Sequence, residues 1–333
     1  MERFDFEEER LKQEIGKLEA RRVLIQLPEG LKLHGPRLAS IVEKAGALPI
    51  VSADPCYGAC DLVTAEAESL GVDLIVHYGH AKLSEYECIP TIYVEARATV
   101  EVSDAVEKAL PLLKNWHKVG LATTVQHIQT LNRIKEILLN AGKTVIIGDA
   151  EHSSYPGQVI GCNYSNVKSI ARNVEAFLFV GGGRFHALGV ALSTSKPTIV
   201  ADPYENRAFS VDDEAKILLK KRWASICDAK EAERLAILIG LKNGQQRLRA
   251  AMNLKVKLKK LGRRATLLAI TEITPIALMQ FPDIDAFINT ACPRISLDDS
   301  KNFPKPVITL NEAYAMLNEI TWEELCRRGW FES

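Results

Sequence analysis

Three cysteines are marked out by their surroundings. Cys60 falls in Ala53-Asp54-Pro55-Cys56-Tyr57-Gly58-Ala59-Cys60-Asp61, Cys162 in Val159-Ile160-Gly161-Cys162-Asn163-Tyr164, and Cys292 in Thr290-Ala291-Cys292-Pro293-Arg294. Each segment follows an apolar run of the kind that forms a buried strand, so each places a thiol in a loop. Each thiol has Gly, Ala or Pro close by, which leaves room for a bulky inorganic group beside the backbone. Thiolates bind soft metals and iron–sulfur clusters. Three of them around a cuboidal 4Fe–4S cluster leave one iron without a protein ligand, open to a substrate. A lone free cysteine is more often a small buried residue; three in carboxyl-end loops of three similar segments favour a shared site. Cys56 shares the first loop and competes with Cys60 for the role, whereas Cys88, Cys227 and Cys326 read as structural. No Cys-x3-Cys-x2-Cys and no Cys-x2-Cys zinc motif is present.

A second candidate is Gly181-Gly182-Gly183-Arg184-Phe185-His186, which follows a strand-like run. Consecutive glycines let backbone amides approach a ligand, and an anionic group can rest on the helix N-terminus that follows. The spacing is not the dinucleotide fingerprint. Other polar residues expected in the same class of loop are Glu29, His77, His80, Gln126 and Asp202. The basic run 255–264 reads as a solvated helix face.

These residues need elements to hold them. Short apolar runs alternate with helical-period segments, the pattern of βαβ units and parallel sheets. The runs fall into three sets of four: 23–27, 48–52, 73–77 and 91–95; 119–123, 144–148, 176–180 and 198–201; 235–240, 265–270, 286–289 and 307–310. Each third run carries a similar lead-in (Val72-Asp73-Leu74, Val174-Glu175-Ala176, Ile284-Asp285-Ala286), a proline precedes each fourth (Pro90, Pro197, Pro306), and a glycine precedes each second (Gly46, Gly142, Gly262). The expected fold is therefore α/β, with three similar doubly wound parallel-sheet domains, an internal triplication around a central site. The expected limits are 1–101 with Cys60, 102–210 with Cys162 and the Gly181–Gly183 loop, and 211–333 with Cys292. Helices over 106–116 and 213–226 are expected to bridge them. Function on such sheets sits beyond the carboxyl ends of the strands.

Composition narrows the class further. Among 333 residues, 42 Lys plus Arg balance 42 Asp plus Glu, which argues against a nucleic-acid partner. No apolar stretch approaches the roughly 20 residues of a membrane helix, and the acidic, mixed start is not a signal peptide. A cytoplasmic, reducing location is expected, where seven cysteines are not a disulfide framework.

Taken together, Leu27-Pro28-Glu29-Gly30, Tyr57-Gly58-Ala59-Cys60-Asp61, Gly183-Arg184-Phe185-His186 and Asp202-Pro203-Tyr204 resemble the archaeal 3-amino-3-carboxypropyltransferases of diphthamide biosynthesis, an iron–sulfur, non-canonical radical enzyme family. The resemblance runs from about Val23 to about Tyr314. It implies a 4Fe–4S cluster on Cys60, Cys162 and Cys292, with S-adenosylmethionine as the second cofactor bound at it; the glycine segment Gly181–His186, read from its own residues, is the expected contact for that ligand. It also implies a homodimer, an electron donor, and transfer of the 3-amino-3-carboxypropyl group to a histidine ring carbon of translation elongation factor 2. Two other readings share the plan: a quinolinate-synthase-like dehydratase using the open iron as a Lewis acid, and a non-catalytic subunit that relays electrons.

Overall fold

The computed structural model describes residues 3–82 and 88–331. A two-residue strand, β1 (Phe4–Asp5), opens the chain. Four parallel strands follow: β2 (Arg22–Gln26), β3 (Leu48–Val51), β4 (Leu74–Tyr78) and β5 (Thr91–Val94). β6 (Arg97–Ala98) returns to pair antiparallel with β1. The second sheet holds β7 (Lys118–Thr123), β8 (Thr144–Ile146), β9 (Ala176–Val180) and β10 (Thr198–Asp202), with β11 (Arg207–Ser210) antiparallel on its edge. The third holds β12 (Arg234–Gly240), β13 (Arg264–Ile270), β14 (Ala286–Asn289) and β15 (Val307–Thr309), all parallel.

The three parallel sets share one order. In each, the first strand lies between the second and the third, and the fourth flanks the third. They share a detail as well. Asp73 accepts from the backbone N–H groups of Arg21 and Arg22, Glu175 from those of His117 and Lys118, and Asp285 from that of Arg234. In each sheet the acid before the third strand thus satisfies amides at the start of the first, which would otherwise lack partners.

The intervening helices follow from apolar spacing. Helix Gly35–Lys44 has Pro36 in its first turn and buries Leu38, Ile41 and Val42. It stops at Gly46, whose φ of 90° lies in the left-handed region that favours glycine. Val23, Ile25, Leu74 and Val76 pack toward that helix, while Leu24 and Ile75 face Val63 and Ala67 on the other side. Burial on both faces is why these strands read as continuous apolar runs. Each such side chain contributes about 1.5–3 kcal/mol. One cluster of buried residues runs from Phe177 and Phe179 of the second sheet to Leu235 and Ile288 of the third.

The helix Asp212–Glu231 spans that junction, as the sequence suggested, and it runs past the expected end at 226. The other expected bridge is corrected. Its helix is Ser103–Ala109, and Val106 and Ala109 pack into the core of the second sheet with Leu121 and Leu178. Residues 110–115 form turns. Among the described residues no helix is long and apolar enough to cross a membrane.

Candidate active site

The carboxyl ends of the three sheets open on one cavity of about 780 Å³. Cys60, after β3, Cys162, after β8, and Cys292, after β14, all line it. Two of these loops are fixed by neighbouring residues. Asn289 donates to the Cys292 carbonyl at 2.7 Å and accepts from the amide of Ala291 at 2.9 Å. The loop 241–246 lies against Cys60. A Cβ at Gly244 would fall 2.4 Å from Cys60 Cβ, so only glycine permits this approach. Gln245 Nε2 donates to Cys60 Sγ at 3.5 Å. Beside it, Lys242 donates to Asp61 Oδ2 at 2.7 Å, pairs with Glu272, and lies 4.6 Å from the Tyr57 ring centroid.

Burial pushes all three thiols up. Cys162 reaches about 12, first through desolvation and then through the neighbouring Cys60 and Cys292. Cys60 and Cys292 are raised by burial too, opposed respectively by the Gln245 hydrogen bond and by a backbone hydrogen bond. Three neighbouring buried thiols cannot ionise together in this medium unless a cationic metal group draws off their protons. The donor set therefore suits a soft metal or cluster.

Cys56 is buried and is not among the residues that line the cavity; burial raises its thiol to about 12. Its sulfur and ring nitrogens of His77 and His80 lie within 4.8 Å of one another. Cys88 and Cys227 are exposed and Cys326 is partly buried against the core, and none of the three is among the residues that line the cavity.

The glycine segment divides. Gly182, Phe185 and His186 line the cavity. Gly181, Gly183 and Arg184 do not, which corrects the expectation of free amides there. The amide of Gly181 donates to the Ala201 carbonyl and that of Gly183 to Asp202 Oδ2. Arg184 pairs with Glu214 and lies over Phe209. Asp202 also accepts from the amides of Tyr204 and Glu205, so it shapes this turn. Glu29 is exposed and paired with Lys32. Gln126 lines the cavity and donates to the Gly79 carbonyl, His80 lines it, and His77 lies buried behind.

Sequence reasoning passed over several lining residues. His127 is 1% exposed, packs edge-on to Tyr204 and, among the described residues, finds a partner at neither ring nitrogen. A buried polar atom left unpaired costs about 1–3 kcal/mol, and an incoming ligand would relieve that. Arg294 lies 3.5 Å from the Phe185 ring centroid and donates to the Phe185 carbonyl at 2.8 Å. Its Nε is 2.7 Å from Asp298 Oδ2, yet too poorly aligned to form a hydrogen bond. Position could have flagged Lys242 and Gln245, since 241–246 is a carboxyl-end loop with an Asn-Gly turn.

Parallel α/β sheets that converge on one cavity with three thiols define a class of α/β protein whose donor set suits a thiolate-bound metal group. The comparisons agree. The diphthamide synthesis protein family matches residues 27–326, and the chain belongs to that family. It is 38% identical to 2-(3-amino-3-carboxypropyl)histidine synthase of Pyrococcus horikoshii over 306 residues, 91% of this chain and 88% of that one. Subunit 1 of the Schizosaccharomyces pombe enzyme of that name is 32% identical over 92% of this chain and 72% of its own length. The crystal structure of Dph2 from Pyrococcus horikoshii with a 4Fe–4S cluster superposes with a TM-score of 0.87 at 35% identity, covering 95% of this chain and 92% of that one.

Proposed function

We propose that this chain is a 2-(3-amino-3-carboxypropyl)histidine synthase, carrying out the first step of diphthamide biosynthesis. It moves the 3-amino-3-carboxypropyl group of S-adenosylmethionine to a histidine ring carbon of translation elongation factor 2. One observation carries the reading: in a chain of this family, Cys60, Cys162 and Cys292 come from three sheets to one cavity. They would hold a 4Fe–4S cluster, and the similar Dph2 crystal structure with such a cluster supports that assignment. Such a cluster, once reduced, supplies the single electron that breaks a carbon–sulfur bond of a sulfonium, which suits an acceptor carbon too weakly nucleophilic for polar displacement. The protein's contribution is placement. Gly182, Phe185, His186 and Tyr204 shape one wall for the ligand, and Lys242, tied to Asp61 and Glu272, keeps the Cys60 loop against the third sheet.

The reading includes three similar domains, 1–101, 102–210 and 211–333, supported by the common strand order and the repeated acid before each third strand. It also includes a homodimer, a separate electron donor and a cytoplasmic location.

The test is anaerobic. Reconstituted protein is reduced with S-adenosylmethionine, followed by EPR, and its products are separated by chromatography. Methylthioadenosine and a modified elongation factor are expected; a dominant 5′-deoxyadenosine peak rejects the mechanism.

A further inference from the structure

A chain of hydrogen bonds behind the cavity wall fixes which nitrogen of His80 carries a proton. It starts at the Asp61 carbonyl, which can only accept. Gln26 Nε2 donates to that oxygen at 2.6 Å, so Gln26 Oε1 faces His77 Nδ1 at 2.8 Å. An amide oxygen cannot donate, so His77 Nδ1 holds the proton and its Nε2 is a bare acceptor. His80 Nδ1 lies 2.9 Å from that Nε2 and must donate to it. The lone pair on His80 Nε2 is then left over. Gln26 and His77 are fully buried, and His80 is the member that lines the cavity. Among the described residues, none bonds its Nε2. His186 lines the same cavity, stacked on Phe179 with ring centroids 6.0 Å apart.

We propose that His80 Nε2 receives the N–H of the acceptor imidazole and so sets the angle at which that ring meets the three-thiol end of the cavity. This deepens the function proposed above and rests on it. Gln26 and His77 act through His80 and are positioning residues. The rival donor is the ammonium group of S-adenosylmethionine. A buried cation needs a countercharge; the relay Gln26–His77–His80 supplies none, whereas Glu272, Asp298 and Asp299 elsewhere on the cavity wall suit that cation better. A neutral imidazole N–H has no such need. The same imidazoles and Cys56 could instead enclose a metal ion, but the ion would have to replace the His77–His80 hydrogen bond.

Three measurements decide it. In cluster-free protein labelled with 15N-histidine, long-range 1H–15N correlations should show both His77 and His80 as Nδ1–H tautomers; an Nε2–H tautomer at His80 overturns the proposal without reference to activity. In the reduced holoenzyme, His80→Phe should lower the ratio of modified acceptor to released methylthioadenosine about tenfold or more, the worth of one hydrogen bond to a buried group. An unchanged ratio, or a parallel loss of S-adenosylmethionine binding, overturns it. Gln26→Glu places a carboxylate on His77, which draws a second proton to that ring. His80 should then switch to the Nε2–H tautomer, and the ratio should fall with it. One equivalent of zinc in a Cys60→Ala, Cys162→Ala, Cys292→Ala triple variant, lost on adding Cys56→Ala, would assign the trio to a metal and reject the relay. Wild-type holoenzyme that releases no methylthioadenosine would reject the functional reading itself while leaving the tautomer result standing.

Discussion

Cys60, Cys162 and Cys292 stay protonated in the folded chain because burial and mutual proximity oppose their charge. The cluster proposed above would reverse that preference, and it would depend on all three thiolates, since losing one leaves two irons without a protein ligand. Replacing any of them by Ala should remove most cluster iron and sulfide, measured after anaerobic reconstitution. Cys56→Ala, Cys88→Ala, Cys227→Ala and Cys326→Ala should retain both. A full cluster in Cys60→Ala combined with its loss in Cys56→Ala would reverse the assignment inside that loop. The cysteines were legible in the sequence because each follows a strand-like run and sits among small residues. Lys242 and Gln245 were not, because their partners Asp61 and Cys60 lie 181 and 185 residues away. Those contacts exist only once the first and third sheets have met, and no local pattern encodes that meeting. His127 escaped for another reason: what marks it is two empty ring nitrogens, a property of its surroundings.

The elements were far easier to read. All twelve parallel strands lie where the apolar runs placed them, because burial on both faces writes itself into consecutive Val, Ile and Leu. The antiparallel additions β1, β6 and β11 were not legible: two of them are two residues long, and β11 is only part-buried. One element carries an arrangement that periodicity hides. Arg222, in the helix Asp212–Glu231, is completely buried. It donates to both carboxylate oxygens of Glu312 at 2.7 and 2.6 Å, and to the Ser296 and Val307 carbonyls. Trp330 Nε1 donates to the same carboxylate at 2.7 Å. Ser296 lies in the helix Pro293–Asp298 that begins beside Cys292, so this ion pair anchors the third cysteine's support. Removing one partner strands the other charge in the core, at a cost of about 3–5 kcal/mol. Glu312→Gln and Arg222→Met should each lower the unfolding free energy by that order, measured by urea titration. The double variant should recover part of the loss, because no uncompensated charge then remains. Equal or greater loss in the double variant would show that packing, not charge, dominates there.

At the scale of the whole molecule, two properties can be tested on intact protein. The first is the proposed homodimer. Trp116 lies beyond the helix Ser103–Ala109 and packs against the core of the second sheet, and Trp223 leans edge-on against Trp322, so neither offers a continuous apolar helix face. The helix Leu248–Lys260 does. Its inner face buries Ala251, Leu254 and Leu258, while Leu248, Met252 and Val256, spaced by four, are more than half exposed. It packs on β13, an edge strand of its sheet, and Ile276 and Met279 stand exposed just beyond that strand. A second copy covering this face would bury both the stripe and the open edge. Met252→Glu with Val256→Lys should then shift the light-scattering mass toward 36.9 kDa, and an unchanged dimer mass would place the interface elsewhere. The second property is acid sensitivity. His77, His80, His127 and His186 have ordinary values of 6.5, which burial lowers to about 3, 4, 4 and 3. Each is a base depressed by folding. Between pH 6.5 and about 4 the unfolded chain binds protons that the folded chain refuses, so stability is whole above 6.5 and is lost as pH falls through that window. Each histidine adds a slope of about 1.4 kcal/mol per pH unit while its unfolded form is charged and its folded form neutral. Asp61, Asp298 and Asp299, raised by burial, oppose this in part. Cluster-free protein should therefore show a urea midpoint that falls steadily from about pH 7 to about pH 5. His127→Phe removes one such base together with its two unpaired nitrogens, so it should flatten that fall. A midpoint that holds or rises on acidification would mean that these imidazoles reach water or counterions in the folded state, contrary to their burial.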